Sequence, residues 1–152
     1  MAQGLLKNIY LFEHFTEAEL GAVEKTIIKH RFDAGEEIFS QGQAADSLYV
    51  IAYGSVRIQQ EIGGGEVVIR PLATGSHFGE MALIDERPRS ATVTAIEHTE
   101  VLEISYAGLQ AIFAEQPALA AKLYRSLAHF LSGRLRETTS QLGFARSHFR
   151  PS

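Results

Sequence analysis

Between about residue 27 and residue 105 the chain is cut into short apolar or alternating runs, and that pattern leaves few folds open. The runs are Glu37-Ile38-Phe39, Leu48-Tyr49-Val50-Ile51, Val56-Arg57-Ile58, Val67-Val68-Ile69, Ala91-Thr92-Val93 and Val101-Leu102-Glu103-Ile104. Glycine punctuates them at 35, 42, 54, 63 to 65, 75 and 79. Each run is too short for a helix. Short strands at this spacing, separated by glycine turns, predict a sandwich, jelly roll or barrel rather than a parallel sheet.

Helical periodicity brackets this region. Thr16-Glu17-Ala18-Glu19 is a capping box, in which Thr16 and Glu19 satisfy backbone donors at a helix start. Leu20, Val23, Ile27 and Ile28 then supply an apolar face, and Leu5, Leu6, Ile9, Leu11, Phe12 and Phe15 predict a short segment upstream. After Ser105, a candidate N-cap, one short helix runs to about Glu115. Pro117 can open the next helix at its first position. That helix spans about 117 to 141 and is expected to end near Gly143. Its stripe of Leu119, Leu123, Leu127, Phe130, Leu131, Leu135, Thr138 and Leu142 recurs at spacings of three and four. The stripe is too long for a roll of some 80 residues to cover. Part of it is therefore expected to pack on a second copy as a homodimer seam.

The expected fold is mainly β with flanking helices: an antiparallel, double-stranded, jelly-roll-like β-roll with an N-terminal helical segment and a long C-terminal helix. A single domain over residues 1–152 divides into N-terminal helices (1–26), β-roll (27–105), C-terminal helices (106–142) and a tail (143–152).

Composition then removes whole classes of function. The chain has no cysteine, so disulfides, thiol catalysis and thiolate-bound metals are excluded. A net charge of -4 argues against nucleic acid as the main partner. Within residues 117 to 152, however, Lys122, Arg125, Arg134, Arg136, Arg146 and Arg150 outnumber the single acid Glu137. No apolar run reaches the roughly 18 residues of a membrane span, and no secretory signal opens the chain, so a cytoplasmic location is expected. Jelly rolls also host metalloenzymes, but none of the histidines (14, 30, 77, 98, 129, 148) forms a pair separated by one residue. His77 is expected on the roll's surface. No nucleophile elbow and no glycine-lysine phosphate loop is present, so no catalysis is expected.

The informative stretch is Gly75-Ser76-His77-Phe78-Gly79-Glu80-Met81-Ala82-Leu83-Ile84-Asp85-Glu86-Arg87-Pro88-Arg89-Ser90-Ala91-Thr92-Val93. Gly79 removes a side chain where a strand gives way to a short turn, so a ligand can approach the backbone closely. Residues 80 to 84 can form a helical turn whose free N–H groups favour an anion. Arg89 offers a bidentate fork suited to phosphate, and Ser90 adds a hydroxyl. Glu80 cannot ligate phosphate, because two anions repel, but a carboxylate beside the cradle can accept from a sugar hydroxyl. The bland alternative makes Arg89 a strand-edge ion pair with Glu80, Asp85 or Glu86. Arg87 is expected at the surface.

This segment resembles the phosphate-binding cassette of the cyclic nucleotide-binding domain family, of the catabolite activator and protein kinase A regulatory subunit type. The family pattern is F-G-E-x-A-L, a short spacer, then R-(S/T/A)-A. The likeness extends to Gly35-Glu36, Gly42, Leu48-Tyr49-Val50-Ile51 and Gly54-Ser55-Val56. It implies a cAMP or cGMP ligand and no other cofactor. Arg89 would pair with the cyclic phosphate and Glu80 with the ribose 2′-hydroxyl. The backbone through Phe78, Gly79, Glu80, Met81 and Ala82 would cradle both, with Ser90 and Ala91 beside the phosphate. Ile69, Arg70 and Phe78 would flank the base. Arg134-Leu135-Arg136-Glu137-Thr138-Thr139 resembles the hinge-side helix of bacterial catabolite activators, where two adjacent hydroxyls approach the adenine amino group, one from each subunit. Thr138 and Thr139 fall there and favour cAMP, although both could equally be solvated helix positions. No recognition helix follows, so the resemblance supports ligand sensing relayed to an unknown effector protein, without direct DNA binding. The alternatives are a regulatory fragment of a larger channel, kinase or transcription factor, or a ligand-blind dimerisation module.

Overall fold

Helix formation at the N-terminal side rests on few residues, so its capping matters. In the computed structural model, which describes residues 2–148 and the side chains of 4–65 and 67–140, α1 (Ala2–Lys7) and a 3₁₀ turn (Tyr10–Phe12) precede α2 (Glu17–Glu24). The expected capping box is formed: Thr16 Oγ1 accepts from the Glu19 amide at 3.2 Å, and Glu19 Oε1 accepts from the Thr16 amide at 2.8 Å. Glu19 Oε1 also accepts from Lys122 Nζ at 2.7 Å, which ties α2 to the C-terminal helix. Thr16→Ala is expected to cost about 1 kcal/mol of folding stability, read as a lower urea midpoint with an unchanged slope.

The sequence pattern carries this helix through Ile27 and Ile28, but the structure ends it earlier. Thr26 turns its hydroxyl onto the Val23 carbonyl at 2.7 Å, and both isoleucines enter β1 (Ile27–Phe32). Two consecutive β-branched residues suit a strand, and β8 (Thr99–Ser105) supplies an antiparallel partner over six registered pairs from Ile27↔Ile104 to Phe32↔Thr99.

The remaining strands are β2 (Glu37–Phe39), β3 (Ser47–Tyr53), β4 (Ser55–Ile62), β5 (Glu66–Ala73), β6 (His77–Phe78) and β7 (Thr92–Ala95), with the short helix α3 (Met81–Asp85) between the last two. They form two four-stranded antiparallel sheets, ordered β1-β8-β3-β6 and β2-β7-β4-β5. Alternation along β3 and β8 divides the core in two. Leu48, Val50, Leu102 and Ile104 face the helices, while Tyr49, Ile51 and Val101 face inward onto Val56, Phe78 and Val93.

On the C-terminal side, Ser105 Oγ caps α4 (Tyr106–Glu115) by accepting from the Gly108 amide at 2.9 Å. Pro117 opens α5, which runs from Pro117 to His148, past the expected end at Gly143. A single helical glycine costs only about 1 kcal/mol relative to alanine, and Phe144-Ala145-Arg146 beyond it hold no proline. The leucine stripe splits along this helix. Leu119, Leu123 and Leu127 are fully buried in the chain's own core, whereas Leu135 is 67% exposed. The Leu142 side chain and the tail from 149 lie outside what the structure describes. No helix among those described is long and apolar enough to cross a membrane.

Candidate functional site

The roll's interior ends in a shelf of aromatic rings. Phe78 is the last residue of β6 and stacks on Tyr49 at 5.2 Å between ring centres, and Phe39 of β2 lies 5.8 Å from both. Directly after Phe78 the backbone turns through Gly79 at φ +80°, a conformation that a β-carbon disfavours. A β-carbon built there would sit 2.8 Å from Arg89 Nη1, so the glycine also makes room for the guanidinium.

Arg89 is drawn to this point by its backbone and then held by its side chain. Its amide donates to the Gln43 carbonyl and its carbonyl accepts from the Gly42 amide, each at 2.8 Å. The guanidinium is buried at 4.0 Å over the Phe39 ring. Nη1 donates to the Gly79 carbonyl at 3.0 Å and Nη2 to the Ser47 carbonyl at 2.7 Å. The Tyr106 hydroxyl, at the start of α4, also donates to the Gly79 carbonyl. Burial pushes the Tyr106 phenol up to about 12, against the opposing pull of the Arg89 charge. Among the described residues no carboxylate pairs with Arg89, so the strand-edge ion pair to Glu80, Asp85 or Glu86 is not formed. A desolvated cation whose partners are carbonyl dipoles and ring faces is a strong potential site for an anion.

Glu80 lies across the same cavity and is itself buried, with 4% exposure. Burial alone would raise its pKa. The His77 ring beside it, and Arg134 further off, instead hold the carboxyl below its ordinary value, so it is a carboxylate at neutral pH. His77 is not on the surface, contrary to the sequence expectation, but only 4% exposed. The register of β6 with β3 explains this: Phe78 opposes Tyr49 and points inward, so His77, opposite Val50, points toward the helices. There its ring meets Phe130 of α5 at 4.5 Å between centres.

These groups border a cavity of ≈ 240 Å³. The roll contributes Phe39, Ile58, Arg70, Leu72 and Val93, the cassette contributes residues 77–82, 85 and 87–91, and α5 contributes Leu131 and Arg134. Of the residues singled out from sequence, Phe78, Gly79, Glu80, Met81, Ala82, Arg89, Ser90, Ala91 and Arg70 line it. Arg87 is exposed as expected, yet lies on its rim. Ile69 does not line it: strand alternation turns Arg70 and Leu72 to the cavity and leaves Ile69 58% exposed on the other face. Thr138 and Thr139 are exposed on α5 and also lie outside the lining. Leu131, Arg134 and Thr138 recur at three and four residues, so Thr138 shares the cavity-facing side of α5 one turn further on. Thr139 instead borders a shallow depression with Ser132, Leu135, Arg136 and Ser140.

Sequence reasoning does not single out Arg134 as a site residue. It is half-buried, with its guanidinium 4.6 Å over the Phe130 ring. Burial, and after it the charge of Arg70, lower its pKa from the ordinary arginine value. Its spacing from Thr138 is the signal that could have found it.

Comparison with known proteins agrees with this geometry. A family model described as the cyclic nucleotide-binding domain matches residues 29–116. The chain is similar to the cyclic AMP receptor protein of Thermus thermophilus, 33% identical over 138 residues that cover 90% of this chain and 62% of that protein. It is also similar to a cGMP-dependent protein kinase of Toxoplasma gondii, 38% identical over 99 residues, 65% of this chain and 10% of the kinase. The chain thus spans less than two thirds of either relative. Among solved structures, the crystal structure of the Thermus thermophilus catabolite activator protein superposes with a TM-score of 0.75 at 32% identity, covering 90% of this chain and 62% of that one.

Proposed function

The chain belongs to the cyclic nucleotide-binding domain family, and on that premise we propose that it is a non-catalytic receptor for a cyclic mononucleotide, cAMP ahead of cGMP. The observation that carries the proposal is the pairing, across one cavity, of a buried guanidinium that no carboxylate among the described residues neutralises with a buried, ionised carboxylate. A ligand that satisfies both needs a negative charge and a hydroxyl donor a short distance apart, as a cyclic phosphate fused to ribose provides.

In this reading Arg89 exchanges carbonyl partners for phosphate oxygens, with Ser90 and the main chain of Gly79 to Ala82 alongside. Glu80 accepts from the ribose 2′-hydroxyl. The base lies toward Arg70 and α5. The preference for adenine rests on Thr138 and Thr139. Thr138 follows Arg134 by one turn and would reach the base as α5 closes, while Thr139 faces the side of α5 on which Leu135 is exposed and a second copy would pack. The related proteins name both cAMP and cGMP, so the preference is carried by these two hydroxyls alone.

Occupancy would reach a partner protein through α5, which touches the cassette at Phe130 and borders the cavity at Leu131 and Arg134. A ligand must favour the closed state by about 5.5 kcal/mol to move such a helix from 1:99 to 99:1. Charge-assisted hydrogen bonds made only in that state contribute about 1.5–3 kcal/mol each, so two at the top of that range or three near its middle supply it.

Calorimetric titration with each nucleotide tests the reading. Saturable heat is expected with both, tighter for cAMP. No heat from either at millimolar concentration would replace the sensor with a ligand-blind dimerisation module.

A further inference from the structure

His77 has no part in the contacts proposed for the ligand, yet it occupies an unusual place. Its side chain is 3% exposed, and Nδ1 stands 3.1 Å from Glu80 Oε1. The approach has the length of a hydrogen bond but not its direction, and neither ring nitrogen has an aligned partner among the described residues. Val50 opposes it on β3, and the Phe130 ring covers it from α5.

An unpartnered buried nitrogen costs about 1–3 kcal/mol. Phenylalanine or leucine would fill the gap between Val50 and Phe130 without that penalty, so packing does not account for a histidine. What histidine adds is a ring nitrogen that can carry an N–H within 3.1 Å of an ionised carboxylate. Because Glu80 is a carboxylate and can only accept, the proton of that contact sits on Nδ1.

We infer that His77 is a positioning residue for Glu80: it holds Oε1 from the α5 side so that the remaining acceptor capacity of the carboxylate is presented to a ribose hydroxyl. This rests on the cyclic-nucleotide reading and extends it to a residue outside the phosphate and sugar contacts. Engagement of Glu80 by the sugar brings the Nδ1–H into line with Oε1. Since the same imidazole lies against Phe130, the orientation of the ligand's sugar acceptor and the placement of α5 are joined through one ring.

The experiment is a set of calorimetric titrations of wild type, His77→Phe and His77→Asn with cAMP, cGMP and their 2′-deoxy analogues. Asparagine keeps an N–H donor at the position of Nδ1, whereas phenylalanine keeps the ring contact and removes the donor. His77→Phe is expected to lower affinity for the ribonucleotide about tenfold. The same change should alter affinity for the 2′-deoxy analogue by less than about twofold, since that ligand lacks the hydroxyl that Glu80 takes. His77→Asn should stay within about threefold of wild type. Equal losses for ribo- and deoxy-ligands, or no loss with either, would overturn the inference and leave His77 a packing residue. Should His77→Phe fail to fold, His77→Leu replaces it with the same reading. Wild type binding ribo- and deoxy-ligands equally well would overturn the inference at its root, by removing the sugar role of Glu80. Wild type binding none of the four ligands would instead overturn the receptor reading itself.

Discussion

Arg89→Ala is expected to weaken cyclic nucleotide binding at least tenfold, with Arg89→Lys falling between it and wild type. Two charge-assisted hydrogen bonds to a phosphate together contribute about 3–6 kcal/mol. Part of that is offset, because without ligand the guanidinium already donates to the carbonyls of Gly79 and Ser47 and must exchange them. Tenfold, about 1.4 kcal/mol, is therefore the floor of the expected effect. Lysine keeps the charge but not the planar fork, so it cannot span the two carbonyls while lying flat on Phe39. The alanine variant also takes the guanidinium donor away from the Ser47 carbonyl, while that of Gly79 keeps the Tyr106 hydroxyl; this costs about 1–3 kcal/mol of stability, so each variant is melted before it is titrated. Affinity unchanged in a folded Arg89→Ala protein would remove Arg89 from the site and the phosphate cradle with it.

What could be read from the sequence and what could not follows from how local each feature is. The strands between residues 37 and 104 were legible because alternation and glycine turns are properties of neighbouring residues. That Phe78 to Ala82 and Arg89 to Ala91 meet at one cavity is legible for a similar reason: they lie within one short stretch, so their chemistry can be weighed together. Ile27 and Ile28 carry two readings in the sequence, the apolar face that continues from Leu20 and the start of the roll at 27, because the deciding fact, pairing with β8, is some seventy residues away. The sequence alone puts His77 on the surface for want of the β6–β3 register, which sets the direction of a two-residue strand. Arg134 was hidden because a cation on a helix ordinarily faces solvent. Only the folding of α5 over the cassette brings it to within electrostatic reach of Glu80 and Arg70. The aromatic shelf is likewise assembled from β2, β3 and β6, so its stacking on Arg89 has no trace in any single segment.

Two glycines that share a positive φ should respond very differently to alanine. Gly54, between β3 and β4, has φ +102°, and Gly64, between β4 and β5, has φ +86°. Any L-residue in this region is strained by about 1–2 kcal/mol, and at Gly64 that is the whole expected cost, because nothing lies within 4 Å of an added β-carbon. At Gly54 the added carbon would stand 2.5 Å from Thr99 Oγ1, 2.8 Å from the His98 carbonyl oxygen and 2.8 Å from Thr99 Cα. Two of those atoms belong to the backbone, and the third cannot rotate away freely. Thr99 Oγ1 accepts from the Ser55 amide at 3.2 Å and lies 2.8 Å from the Glu97 carbonyl oxygen and 3.1 Å from that of Ser55, to either of which it can donate. Alanine at 54 must therefore push the β3–β4 turn off the start of β8 and disturb those bonds. Gly54→Ala should cost about 3 kcal/mol or more, against about 1 kcal/mol for Gly64→Ala, measured as shifts in urea midpoint. Ligand affinity of the molecules that remain folded should be unchanged in both, because neither turn borders the cavity. Equal destabilisation by the two substitutions would mean that φ alone sets the requirement for glycine and that the close approach of the two turns contributes nothing.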